Sequence, residues 1–192
     1  GTQLTPRWVN VFTDQNVFTV PKIDRGEHLN LACMVDCSGS MGELAGKALA
    51  ILYGLCRALR THKCETFCCR FSNPDDSLPF HWTQAHTFNS LGGSTYGAKA
   101  AKLCSEWLMS KRLGNKVLII LTDGGLGDKE ATLKSINDVI AERGYVFMVG
   151  INITEEALRE GWGHGIDFVA VDSDNVPALT DTIITAIKRQ IK

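Results

Sequence analysis

The sequence predicts a three-layer α/β/α domain, doubly wound around a mostly parallel sheet with one antiparallel edge strand. Three observations lead there. From Leu29 onward, short apolar runs alternate with segments whose apolar residues recur every three or four positions, the pattern of strands alternating with amphipathic helices. The apolar runs lack in–out alternation, as expected where helices cover both faces of a sheet. Polar, glycine-bearing loops (DCSGSMG, GGST and TDGG) end strands or feed helices, and ligands of such sheets sit beyond the carboxyl ends of the strands.

The elements follow in order. RWVNVFT and NVFTV flank Asp14-Gln15 and pair as a hairpin in this reading. Residues 1–28 therefore form an N-terminal β extension on a domain spanning 29–192. LNLACMV, from Leu29 to Val35, is a strand. Leu44, Ala48, Ile51, Leu55 and Leu59 mark one stripe of a helix running from Met41 to about Arg60. KCETFCCRF is a strand, NPDD a turn, and FHWTQAHTF a returning edge strand. GGST, at Gly92 to Thr95, opens a second helix with Ala101, Cys104 and Leu108 inward. KVLIIL is a strand ending in TDGG; the next helix turns Leu133, Ile136 and Ile140 inward and closes at Gly144. YVFMVGINI is a strand, Thr154 caps the short helix TEEALRE, and IDFVAV is the last strand. The final helix carries Leu179, Ile183, Ile187 and Ile191 on one stripe, with Lys188, Arg189 and Lys192 near its C-terminal end, where the dipole favours cations.

With 192 residues the chain makes one domain with a real core. A formal net charge of -1 with interspersed signs steers it to neither nucleic acid nor an anionic membrane. The opening GTQLTPRW has no apolar leader region and no run approaches membrane-spanning length. There are seven cysteines, an odd number, six of them within strand-like or helix-like runs, and the expectation is a reduced, cytoplasmic protein. The missing initiator Met points to a fragment or a processed chain.

Three chemistries compete for VDCSGSMG, from Val35 to Gly42. The phosphate-loop pattern GxxxxGK[ST] fails twice around Gly46-Lys47, at Met41 and at Ala48, and GxGxxG fails at Met41. A nucleophile elbow, GxSxG, lacks its first glycine before Ser38, and the five histidines offer no clear base, His164 in GWGHG aside. A phosphatase using Asp36 would want a second aspartate where Ser38 stands. A cation site uses every residue. Mg²⁺ takes six oxygens, often with only one or two carboxylates. Asp36 and Asp123 supply charge, and Ser38, Ser40 and Thr95 supply neutral hydroxyls that leave the cation electrophilic. An incoming carboxylate from a partner can then take a coordination place without any catalysis.

With these residues assembled, the chain resembles a von Willebrand factor A domain carrying a metal-ion-dependent adhesion site, a Rossmann-like fold. The family motif DxSxS, a distant threonine and a distant aspartate correspond to Asp36-Cys37-Ser38-Gly39-Ser40, Thr95 in GGSTYGAKA and Asp123 in LTDGG. The resemblance covers about Leu29 to Lys192. The usual GGT is spread here into Gly92-Gly93-Ser94-Thr95, so Ser94 is the fallback ligand. VDCSGSMGELAGKALAILYGLCRAL and IDFVAVDSDNVPALTDTIITAIKRQI look like the C-terminal domain of the cobaltochelatase T subunit. The resemblance implies Mg²⁺ or Mn²⁺ at Asp36, Ser38, Ser40, Thr95 and Asp123, and no catalytic residue. It also implies an adaptor role toward a hexameric AAA+ ATPase of chelatase or MoxR type, and cobalt insertion into a corrin, or related remodelling, by the whole enzyme. A metal-dependent hydrolase and an extracellular adhesin are the alternatives.

Plainer readings stand beside these. Asp36 alone would serve as a helix N-cap, Asp123 would satisfy a loop amide, and Asp128 caps the next helix rather than joining the metal. His62, Cys64, Cys68 and Cys69 invite zinc, but Cys68 and Cys69 point to opposite faces of a strand, so buried thiols are the better reading. GWGHG is a flexible connection or a partner-binding loop.

Overall fold

β1 (Leu29–Asp36) is buried at all eight positions, and its side chains are apolar but for Asn30 and Asp36. It lies at the middle of a six-stranded sheet with β2 (Cys64–Phe71), β3 (Leu78–Phe80), β4 (Asn115–Thr122), β5 (Tyr145–Ile151) and β6 (Ile166–Val171) in the order β3-β2-β1-β4-β5-β6. Every pairing is parallel except β2 with β3, the expected antiparallel edge. The computed structural model describes residues 28–60, 63–160, 162, 165–172 and 176–191. The hairpin expected within residues 1–28 falls outside them but for His28.

Side chains of successive strand residues leave opposite faces of the sheet, so β1 serves two cores. Leu31, Cys33 and Val35 pack with Val117, Ile119 and Leu121 beneath α1 (Leu44–Leu59) and α5 (Val176–Ile191). Ala32 and Met34 pack with Leu118 and Ile120 beneath α2 (Ala98–Met109) and α3 (Lys129–Ala141), joined by Leu158 of the short α4 (Glu155–Arg159). Each buried Leu or Ile contributes about 1.5–3 kcal/mol relative to exposure. Among the described residues no helix is long and apolar enough to cross a membrane.

Three expectations need correction. The edge strand is only Leu78–Phe80; the rest of FHWTQAHTF forms a 3-10 helix, Trp82–Thr87, capped by the His81 side chain. The second helix starts at Ala98 rather than at GGST, because Gly92 and Gly93 carry φ of 71° and 77°, left-handed values that end helical continuity before it begins. The turn closing α3 puts Arg143, not Gly144, at positive φ (59°). The Gly144 N–H bonds the Val139 carbonyl at 2.8 Å, and a Cβ there would meet Val139 Cγ1 at 2.6 Å, so glycine is needed for close approach. Thr154 caps α4 as expected, accepting from the Ala157 N–H at 3.3 Å.

Candidate metal centre

The order of strands reverses at β1: β2 lies on one side of it and β4 on the other. Such a switch point opens a crevice between the loops at the carboxyl ends of the strands. The parallel register pairs Val35 with Leu121. Asp36 at the end of β1 therefore comes beside Thr122 at the end of β4, with Asp123 one residue beyond.

Asp36 is fully buried. Its Oδ1 accepts the Ser38 N–H at 2.9 Å, the turn geometry aspartate favours. Its Oδ2 accepts the Thr122 hydroxyl at 2.8 Å. The Ser38 and Ser40 hydroxyl oxygens lie 3.1 Å apart, and the Ser40 hydroxyl donates to Asp123 Oδ1 at 3.2 Å. A ladder of oxygens thus climbs from the buried Ser38, whose N–H seats it on Asp36, to the exposed Ser40 and half-buried Asp123. Burial pushes the Asp36 carboxyl above the usual carboxylate range, hydrogen bonds from Ser38 and Thr122 pull it back, and the nearby Asp123 charge adds to the rise. Burial, with the Asp36 charge, also pushes the Cys37 thiol up to about 12, so this sulfur stays protonated beside the oxygens.

The loop from Ser90 to Gly97 is clamped onto this turn. The Leu91 N–H donates to the Cys37 carbonyl at 2.7 Å, the Ser90 hydroxyl to the Ser38 carbonyl at 3.0 Å, and the Gly39 N–H to the Gly93 carbonyl at 3.0 Å. A Cβ at Gly39 would sit 3.1 Å from that same Gly93 oxygen. The glycine between the two serines therefore permits backbone approach. On the far side, the Ser72 hydroxyl donates to the Gly92 carbonyl and the Ser94 N–H donates to Asn73 Oδ1 at 3.1 Å.

Thr95 is held by its backbone. Its carbonyl accepts the Gly127 N–H at 2.7 Å, and the next N–H, of Tyr96, donates to the Ser72 carbonyl at 2.7 Å. Its hydroxyl makes no hydrogen bond to Asp36, Ser38, Ser40 or Asp123 among the described residues. Asp128 differs from expectation. It stands at the N-cap position of α3, yet its carboxylate caps α2 instead, accepting the Gly97 and Ala98 N–H groups at 2.8 and 2.9 Å and the Thr132 hydroxyl at 3.1 Å. It ties the loop carrying Asp123 to the loop carrying Thr95.

Sequence reasoning therefore located Asp36, Ser38, Ser40 and Asp123, which the fold brings together, and missed Thr122, Ser90 and the true target of Asp128. Thr122 carried one usable signal, its place directly before Asp123 at the end of an apolar strand. In GWGHG, Gly161, Gly163 and His164 lie outside the described residues; the Lys129 ammonium sits 4.9 Å over the Trp162 ring.

No protein-family model and no curated protein sequence matches the chain. Solved structures do. The vWF domain of the type V pili tip protein Mfa5 from Porphyromonas gingivalis superposes with a TM-score of 0.64 at 10% identity, covering 86% of this chain and 97% of that one. Manganese-loaded TRAP protein from Plasmodium vivax gives 0.59 at 19% identity, over 82% and 74%. Proximal thread matrix protein 1 from the mussel byssus, with a zinc-occupied MIDAS motif, gives 0.69 at 12% identity, over 87% of this chain and 47% of that one. The chain thus spans under half of that byssus protein, and 31% of a matched pilus adhesin. At these identities the likeness speaks for architecture, and together with the strand order it establishes that the chain has the von Willebrand factor type A fold.

Proposed function

We propose that this chain is a divalent-cation-dependent protein-interaction domain, with Asp36, Ser38, Ser40, Thr95 and Asp123 as the residues that would hold Mg²⁺ or Mn²⁺. The observation that carries the reading is the oxygen ladder from Ser38 through Ser40 to Asp123, seated on the buried Asp36 through the Ser38 N–H. Its steps of 3.1 and 3.2 Å match the edge of an octahedron of about 3 Å that bonds of about 2.1 Å produce. The donor set fits a hard cation: oxygens throughout, two carboxylates, and hydroxyls for the rest. Bound there, the cation would supply an electrophilic place for a partner's carboxylate. The Ser38 N–H and the Thr122 hydroxyl hold the Asp36 carboxylate in one orientation. In this reading Thr95 is preferred to Ser94, supported by its half-buried place and its carbonyl bond to the loop of Asp123, whereas Ser94 is exposed and its N–H is tied to Asn73.

The finer reading is an adaptor like the cobaltochelatase T subunit, engaging an AAA+ ATPase of chelatase or MoxR type in the cytoplasm. The sequence likeness of VDCSGSMGELAGKALAILYGLCRAL supports it, and so do seven free thiols, the state expected in a reducing compartment. A hydrolase would need a general base at the ladder. Of the described histidines, His28 precedes β1 at the opposite end of the sheet, His81 caps the 3-10 helix, and His86 lies exposed in that helix's last turn. An extracellular adhesin is a second reading, favoured by the pilus, TRAP and byssus proteins that share the fold. The test is capture of ATPase partners by the chain with Mg²⁺, with chelator, and with Asp36→Ala. Capture that needs both Mg²⁺ and Asp36 is the expected result. Capture unchanged in all three would sink the metal bridge. Cation-dependent binding to extracellular matrix, with no ATPase retained, would favour the adhesin.

A further inference from the structure

Lower on the same strand that ends in Asp36, three sulfurs meet. Cys33 of β1, Cys56 of α1 and Cys68 of β2 place their Sγ atoms within 4.8 Å of one another. The parallel register sets Cys33 directly against Cys68, and Cys56 comes down on them from the helix above. All three are at most 1% exposed, within the apolar core of Leu31, Leu52 and Leu59. The neighbouring thiols hold Cys68 below the usual thiol range, while burial pushes Cys33 up. Cys64, four residues before Cys68 on the same face of β2, is half-buried and gives the cluster a neighbour nearer to solvent.

We propose that Cys33, Cys56 and Cys68 form a three-thiolate site for a trivalent thiophilic ion, with trivalent arsenic as the chemical type. Distance admits it. Thiolates about 2.3 Å from a pyramidal trivalent centre stand about 3.5 Å apart, so sulfurs within 4.8 Å of one another close on it if each moves by less than about an ångström. Charge selects among soft ions. Three thiolates around Zn²⁺ leave one net negative charge and an unfilled fourth place, and around Cu⁺ they leave two negative charges. An apolar core penalises either, because buried net charge is costly. A trivalent ion makes the assembly neutral and is complete with three ligands. The binding step balances without redox. Each thiol forms one sulfur–arsenic bond, each arsenic–oxygen bond of As(OH)₃ breaks, and each thiol proton leaves with a hydroxide as water. Entry requires local opening of β2 at its Cys64 end.

The test is titration of the reduced 192-residue chain with arsenite, read by native mass spectrometry and by thermal melting. The expected product is one arsenic added with loss of three hydrogens, and a raised Tm. Cys56→Ala and Cys68→Ser should each weaken binding at least about a hundredfold and abolish the Tm rise, as loss of a ligand does. Cys69→Ala, on the opposite face, should retain both. A product that keeps an arsenic-bound hydroxyl, and so engages two thiols, would overturn the site. So would undiminished binding by Cys56→Ala, or Zn²⁺ or Cu⁺ displacing arsenic from these thiols at lower concentration. The wild-type mass readout stands even if one variant fails to fold.

Discussion

β1 carries two clusters of ligand atoms three residues apart, and they are opposites. At its carboxyl end, Asp36 seats a ladder of oxygens that starts at Ser38 and reaches solvent at Ser40. At Cys33, sulfurs close on one another inside an apolar wall. The difference comes from position along one strand. A strand end opens into loops whose N–H groups and hydroxyls can compensate a carboxylate, here Ser38 and Thr122. A strand middle offers only neighbouring side chains, and thiols are among the few ligands that bury there without a partner amide. Hard chemistry belongs at the rim and soft chemistry in the core.

The comparison can be broken most sharply with Asp36→Ala. Mn²⁺ affinity, measured by calorimetry, should fall by at least about a hundredfold, while the arsenite response stays unchanged. If both disappear together, the two clusters are not independent. Next in size is Thr122→Val, which keeps shape but removes the hydroxyl from Asp36 Oδ2. Cation affinity should drop about 10–100-fold, the usual cost of losing an outer-shell partner; an unchanged affinity would show that Asp36 is oriented without it.

The pH dependence sharpens the contrast without a cation. The Asp36 carboxyl is raised in the folded chain, first by burial. Its stabilising contribution is therefore full below the unfolded carboxylate pKa and is lost as pH rises through the folded value. The apo chain should gain Tm from this group as pH falls from neutral into the acid range, and Asp36→Asn should remove that gain. Saturating Mg²⁺ should reverse the trend, since protons then compete with the cation; parallel melting curves with and without Mg²⁺ would refute the assignment. The smallest effect is expected for Asp128→Ala. Loss of the cap on Gly97 and Ala98 should cost about 1 kcal/mol in denaturant unfolding, with only a minor change in cation affinity.

Much of the oxygen cluster was legible before any coordinates. Asp36, Ser38 and Ser40 follow a strand that its own apolar run announces, and Asp123 follows another. Thr122 was visible but had no role until β4 was known to lie beside β1. Asp128 misled because a residue at an N-cap position is expected to cap its own helix, whereas a helix N-terminus on the neighbouring loop competed successfully. The sulfur cluster was not legible in the chain, although the buried-thiol reading of Cys68 and Cys69 holds. Proximity in the chain suggested His62, Cys64, Cys68 and Cys69, and strand alternation correctly separated Cys68 from Cys69, which now face different cores. The actual companions of Cys68 come from β1 and α1.

By itself, then, the sequence determined the layers, the parallel character of the sheet and the four residues of the oxygen cluster, because periodicity and turn chemistry are local. Tertiary structure alone decided the strand order that sets Thr122 against Asp36, the close approach that demands Gly39, and the meeting of Cys33, Cys56 and Cys68. These depend on the register between strands and on the docking of a helix across them, and no local rule of the chain carries that information.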